Sequence, residues 1–174
     1  MLRINRLIQD AEYNTYLRQI QQREANRQFC RHDYQHMVDV ARITYLLLLE
    51  SGDLKPFMEQ YGIPMQATAR EIVYAAGILH DIGRWREYDT NEDHAVVGAR
   101  LAASLLQRAG FAAAEVLLIC QAVREHRLDD GSAGMLGSYL ARADDLSRPC
   151  ANCNSRYECH KYQRMETSKQ LLIY

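Results

Sequence analysis

Ala75-Ala76-Gly77-Ile78-Leu79-His80-Asp81-Ile82-Gly83-Arg84 is a run of small and apolar residues that stops at a histidine beside an aspartate. The apolar part reads as a buried helix, with Ile72, Ala75, Ala76 and Leu79 on its inner stripe. An unpaired carboxylate at the end of such a helix is costly, because burial strips the charge of water. A divalent cation reached by both side chains removes that cost. Neighbouring side chains on a helix project roughly 100° apart, so His80 and Asp81 suit one ion lying off the helix end. Gly83 fits as the C-terminal cap. The stretch therefore predicts further ligands elsewhere in the chain.

Upstream, Phe29-Cys30-Arg31-His32-Asp33-Tyr34-Gln35-His36 runs into an apolar segment. Asp33 is a candidate N-cap, and Ser51-Gly52-Asp53 ends the helix. His36 shares a face with Val40 and Ile43 and points inward. Residues 52 to 65 read as a connection with one short helical turn around Phe57, and helix resumes near Ala67. Downstream, Trp85 to Asp93 reads as polar loop, with Asn91 capping a helix that carries His94 and continues to Gly110. A fifth helix runs from about Ala113 to His126, and a sixth covers about Met135 to Asp145. Residues 2 to 26 contain no Gly or Pro and read as one loosely amphipathic helix, packing on the domain or on a second chain. No residue there has an assignable chemistry. Period-2 apolar alternation with turn signals is absent, so the expected fold is all-α, a single-domain helical bundle. The expected parts are a packing helix at 1–27, a metal-binding body at 28–148 and a cysteine-rich tail at 149–174.

With 174 residues, the chain is long enough for a sizeable core. Its formal net charge of −1 is not the basic footprint of a nucleic-acid holder. The first residues, Met1-Leu2-Arg3-Ile4-Asn5-Arg6, have no apolar core of signal-peptide length, and Tyr45 to Leu49 is too short to span a bilayer. A cytoplasmic protein without membrane or nucleic-acid partners is the expectation, with the first helix a candidate homodimer surface.

The inward or helix-end ligand types are His36, His80, Asp81, His94, His126 and one of Asp144 or Asp145. They lie on different helices, which is how helical domains build core metal sites. In this order they resemble the HD domain superfamily of metal-dependent phosphohydrolases. His36, the His80-Asp81 pair and Asp144 match its four-part pattern. His80-Asp81-Ile82-Gly83-Arg84 resembles its His-Asp-x-Gly-Lys/Arg signature, and Ala143-Asp144-Asp145-Leu146 resembles its terminal Ala-Asp-x-Leu, which favours Asp144. His94 and His126 resemble the extra histidines of subgroups that bind two metals; the alternatives are capping or phosphate-contacting histidines. The resemblance covers about residues 28 to 148.

It implies a phosphohydrolase acting on a nucleotide or another small phosphorylated compound, with metal-activated water as nucleophile and one or two Mn, Fe, Co, Zn or Mg ions. Asp81 would bridge or anchor the metals. Arg84 is a candidate phosphate clamp, or else a surface ion-pairing arginine. Arg31, His32, Asp33 and Arg127 are candidates to orient ligands or meet substrate. Two other readings remain: an HD-type di-iron oxygenase, and a non-catalytic metal- or redox-sensing module.

The tail is not part of that pattern. Cys150-x-x-Cys153 followed by Cys159 and His160 suits a structural Zn²⁺, an iron–sulfur cluster, or free thiols. Cys30 or His160 would be the fourth ligand, and Cys30 avoids closing a tetrahedron through two adjacent residues. Cys120, on an apolar face, is a core residue.

Overall fold

The protein is described by a computed structural model covering residues 1–128, 130–170 and 174. The described residues form an all-helical bundle without strands. In chain order the helices are α1 (Leu2–Gln9), α2 (Ala11–Arg23), α3 (Tyr34–Glu50), α4 (Leu54–Gln60), α5 (Gln66–Leu79), α6 (Arg84–Thr90), α7 (His94–Ala109), α8 (Ala113–Glu125) and α9 (Met135–Leu146). Three single 3₁₀ turns, at Cys150–Asn152, Tyr162–Arg164 and Glu166–Ser168, shape the tail.

The expected single N-terminal helix is two. Asp10 takes an extended conformation (ψ 130°), and its side chain accepts hydrogen bonds from the Glu12 and Tyr13 amides, capping α2. Both helices pack on the body: Ile4, Leu7, Tyr13, Leu17 and Ile20 are buried in it. Arg3 pairs with Glu71 of α5 and Glu115 of α8.

At the centre α3 packs on α5. A Cβ on Gly77 would stand 2.4 Å from the Ala41 Cα, so only glycine permits this approach. The crossing brings the start of α3, with His36, to the end of α5, with His80. Asp33 caps α3 through the His36 amide at 2.9 Å.

Four expected boundaries differ. Helix α4 is longer than the single turn read around Phe57. Residues 84–90 form α6 rather than loop, a helix with no buried residue and hence no apolar period to reveal it. Asn91 closes α6 in the left-handed conformation (φ 58°), and Asp93 caps α7 through the Ala95 amide at 2.7 Å. Gly83 is not a C-terminal cap: its φ is −85° and it begins α6. It is glycine because a Cβ would meet the His94 carbonyl oxygen at 2.4 Å and the Gly98 amide at 2.5 Å. That contact seats the α5–α6 junction against the start of α7, where His94 lies. No helix among the described residues is long and apolar enough to cross a membrane.

Candidate metal centre

Five side chains converge on Asp81, which together with His80 is fully buried. One Asp81 oxygen, Oδ2, faces His80 Nε2 at 3.2 Å and His36 Nε2 at 3.7 Å. Asp144 Oδ1 completes this side, 3.3 Å from His36 Nε2, whereas Asp145 is exposed. The other oxygen, Oδ1, faces His94 Nε2 at 2.9 Å and His126 Nε2 at 3.9 Å. Ligand atoms of His36, His80, Asp81 and Asp144 lie within 4.8 Å of one another, and so do those of Asp81, His94 and His126. The two groups share only the carboxylate of Asp81.

The far nitrogen of each imidazole is tied back. Carbonyl oxygens only accept, so the contacts of His80 Nδ1 with Gly77 O and of His126 Nδ1 with Val123 O, each 2.7 Å, place the proton on Nδ1. Nδ1 of His94 is 2.6 Å from Glu87 Oε2. For His36 the holder is Ser147: its hydroxyl donates to Asp144 O at 2.7 Å, which leaves Oγ to accept from Nδ1 at 3.2 Å. All four rings thus present Nε2 to the centre, the arrangement that fixes metal-binding imidazoles.

His32, at the edge of this set, points Nε2 at Asp81 Oδ2 from 3.7 Å, and its Nδ1 bonds the buried carboxylate of Glu24. Glu24 also accepts from the His32 amide at 2.7 Å and from the Tyr88 hydroxyl at 2.5 Å. A residue just after α2 therefore supports the centre, although that segment showed no chemistry in the sequence.

Neither oxygen of Asp81 nor His80 Nε2 has a hydrogen-bond partner, despite complete burial. Such atoms are expensive to leave unsatisfied. Two imidazoles with two carboxylates on one side, and two imidazoles with the shared carboxylate on the other, are donor sets suited to divalent transition metals. The residues fit a metal on each side.

Arginines supply the cationic contacts within the chain. Arg84 Nη2 is 3.0 Å from Asp81 Oδ1 and 3.3 Å from His94 Nε2, and Arg84 turns inward rather than lying on the surface. Arg148 Nη2 donates to His36 Nε2 at 2.8 Å and to Asp144 Oδ1 at 2.9 Å. Arg127 is more exposed and pairs with Glu87 and Asp93, Arg31 is exposed, and Asp33 serves as a cap. Burial pushes the Asp81 carboxyl up, but Arg84 and the His80 and His32 imidazoles hold it well below its ordinary value. Burial and the neighbouring His80 push His126 down to about 4, whereas for His94 the adjacent carboxylates of Asp81 and Glu87 outweigh burial and raise it.

The HD domain family model matches residues 33–169. The chain belongs to the HD domain family. HD domains bind divalent metals and are generally metal-dependent phosphohydrolases, and the clustered histidines and aspartates are groups able to hold such ions. The chain is similar to an "uncharacterized protein" of Clostridium beijerinckii, 33% identical over 160 residues and 92% of each chain. It is also similar to two bifunctional uridylyltransferase/uridylyl-removing enzymes. That of Ruegeria pomeroyi is 32% identical over 68% of this chain, and that of Novosphingobium aromaticivorans 33% identical over 54%. The matches span 11% and 10% of those two proteins. No solved structure matches.

The thiols of the tail are less closely gathered. Cys30, Cys150, Cys153 and Cys159 line one cavity of about 530 Å³, which also reaches His36 and Arg148. Among the described residues no three of these sulfurs lie within 4.8 Å of one another. His160 is exposed and does not line the cavity.

Proposed function

We propose that the protein hydrolyses phosphoester bonds of a nucleotide or similar small phosphorylated compound, with two divalent ions held on either side of Asp81. One observation carries this reading: each oxygen of the Asp81 carboxylate addresses a separate ligand group. His36, His80 and Asp144 would hold one ion with Oδ2, and His94 and His126 the other with Oδ1. A bound pair lowers the pKa of water and withdraws charge from phosphoryl oxygens.

The chain's own residues do the rest. Gly77 O, Val123 O, Glu87 and Ser147 keep each Nε2 aimed inward. Arg84 and Arg148 carry donors into the centre from opposite sides of Asp81, and their planar forks suit phosphate oxygens. Asp144 is a quarter exposed while Asp81 is sealed, so the centre opens on the Asp144 side. The names of the two bifunctional relatives, of which the match spans about a tenth, include removal of a uridylyl group, and that supports a substrate of the nucleotide class.

The test is release of phosphate, pyrophosphate or nucleoside from mono-, di- and triphosphates, dinucleoside polyphosphates and cyclic dinucleotides, with and without added divalent metal. Release that requires metal and is lost in Asp81→Ala is the expected result. Inactivity of metal-loaded protein across all these classes overturns the proposal.

A further inference from the structure

The four cysteines of the seam between the tail and the start of α3 have no part in the hydrolytic centre. Cys30 precedes α3, while Cys150, Cys153 and Cys159 follow α9, yet all four line the same cavity. The Cys150–Asn152 turn, closed by the Cys153 amide on the Cys150 carbonyl at 3.1 Å, places the Cys150 and Cys153 pair at its two ends. Hydrogen bonds draw the remaining thiols in. Arg148 Nη1 donates to Arg31 O at 2.9 Å, Ser155 Oγ to Gln28 O at 3.0 Å, and the Gln28 amide to Glu158, next to Cys159. Burial pushes the Cys150 thiol up, with smaller contributions from the nearby Cys30, Cys153 and Cys159, against a hydrogen bond with Thr167.

The geometry points to a tetrathiolate Zn²⁺ site formed by Cys30, Cys150, Cys153 and Cys159, which staples the tail to the start of α3. Four sulfur ligands in a tetrahedron are the donor set of structural zinc. Each thiol releases its proton on ligation. Four thiolates and one Zn²⁺ carry a net charge of −2, and Arg31, Arg148 and Arg156 in the same cavity wall offset it. The sulfurs stand farther apart than ligation requires, so binding draws these side chains inward over the Cys150 turn.

The site is independent of the hydrolase reading, and the experiment keeps the two apart. Wild type, Asp81→Ala and Cys153→Ser are purified without added metal or chelator and analysed for zinc, iron and acid-labile sulfide. Asp81→Ala is expected to retain about one zinc per chain, which Cys153→Ser loses. After metal removal under reducing conditions and reloading with Co²⁺, thiolate-to-cobalt charge-transfer absorption should appear in Asp81→Ala and be absent from Cys153→Ser. If Cys153→Ser does not fold, an organomercurial titration of folded Asp81→Ala should release the zinc in step with thiol modification. Zinc-free Asp81→Ala without the cobalt band, iron with acid-labile sulfide, or a mass lowered by disulfide formation each overturns the proposal.

Discussion

Arg148 Nη2 stands 2.8 Å from His36 Nε2, the nitrogen that faces the centre, and the same atom bonds Asp144. A second arginine, Arg84, does the same on the opposite side with Asp81 and His94. A donor that lies on ligand atoms must turn outward when a cation takes its place, and Arg148 would then swing away from His36 on the partly exposed Asp144 side. Removing it is expected to weaken substrate rather than metal. A hydrogen bond to a charged group contributes about 1.5–3 kcal/mol, so Arg148→Ala should raise KM for the phosphorylated substrate about 10–100-fold with metal content unchanged. Arg148→Lys keeps the charge but loses the fork, and should recover only part of the loss. Steady-state kinetics beside elemental analysis check this, and a loss of bound metal without a change in KM would contradict it.

Gly83 separates the two metal groups experimentally. A Cβ there meets backbone of His94 and Gly98, neither of which is a flexible side-chain end. The start of α7 must then shift, carrying His94 from Asp81 while His36, His80 and Asp144 stay in place. Overpacking of this kind costs about 1–3 kcal/mol, or a melting temperature about 2–12 °C lower for a chain of this size. Gly83→Ala is expected to stay folded and bind one fewer divalent ion per chain. Equal metal stoichiometry in wild type and variant would show that this contact does not set the His94 side.

The candidate ligands stood out in sequence because they fall near element boundaries: His36 follows an N-cap, His80-Asp81 ends an apolar run, and Asp144 lies in the last turn of α9. What supports them did not. Glu24 looks like any acidic residue after a helix; it is buried only because its neighbours include Tyr88, 64 residues away. Glu87 and Ser147 hold rings from positions whose chemistry is ordinary. Gly83 satisfies the local rule for a helix cap, and only its contact with α7 shows another purpose. The break at Asp10 did have a local signal, since an aspartate followed by Glu12 in the first turn is a capping pattern. The apolar period across residues 2–26 masked it.

Glu24 is expected to resist even its isosteric replacement. Its two oxygens accept three donors, the His32 amide, His32 Nδ1 and the Tyr88 hydroxyl. A glutamine turns one oxygen into a donor, which opposes at least one of the three, and an unsatisfied buried donor costs about 1–3 kcal/mol. Glu24→Gln should melt about 2–12 °C lower and release His32 from its orientation toward Asp81. Thermal unfolding with and without metal checks this; a variant as stable as wild type would mean that the Glu24 carboxylate does not hold His32.

The buried imidazoles set the acid stability of the metal-free protein. Burial pushes His126 and His32 down to about 4 in the folded chain, from an ordinary value of 6.5. Above pH 6.5 both are neutral whether folded or unfolded, so they leave stability unchanged. Between 6.5 and 4 the unfolded chain takes up protons that the folded chain refuses, and stability falls as pH falls. His36 acts in the same direction; His94, raised by Asp81 and Glu87, acts against it. Glu24 and Glu87, held to about 2, add their loss only below about pH 4.5. A tenfold difference in proton affinity between the folded and unfolded chain is worth ~1.4 kcal/mol, and the depressed imidazoles outnumber the raised one. The chelator-treated protein should therefore melt at least about 5 °C lower at about pH 5 than at about pH 7.5. Bound metal should steepen the loss, because protons compete for the same nitrogens. A melting temperature that holds or rises over that interval would show that the imidazoles are not buried neutral.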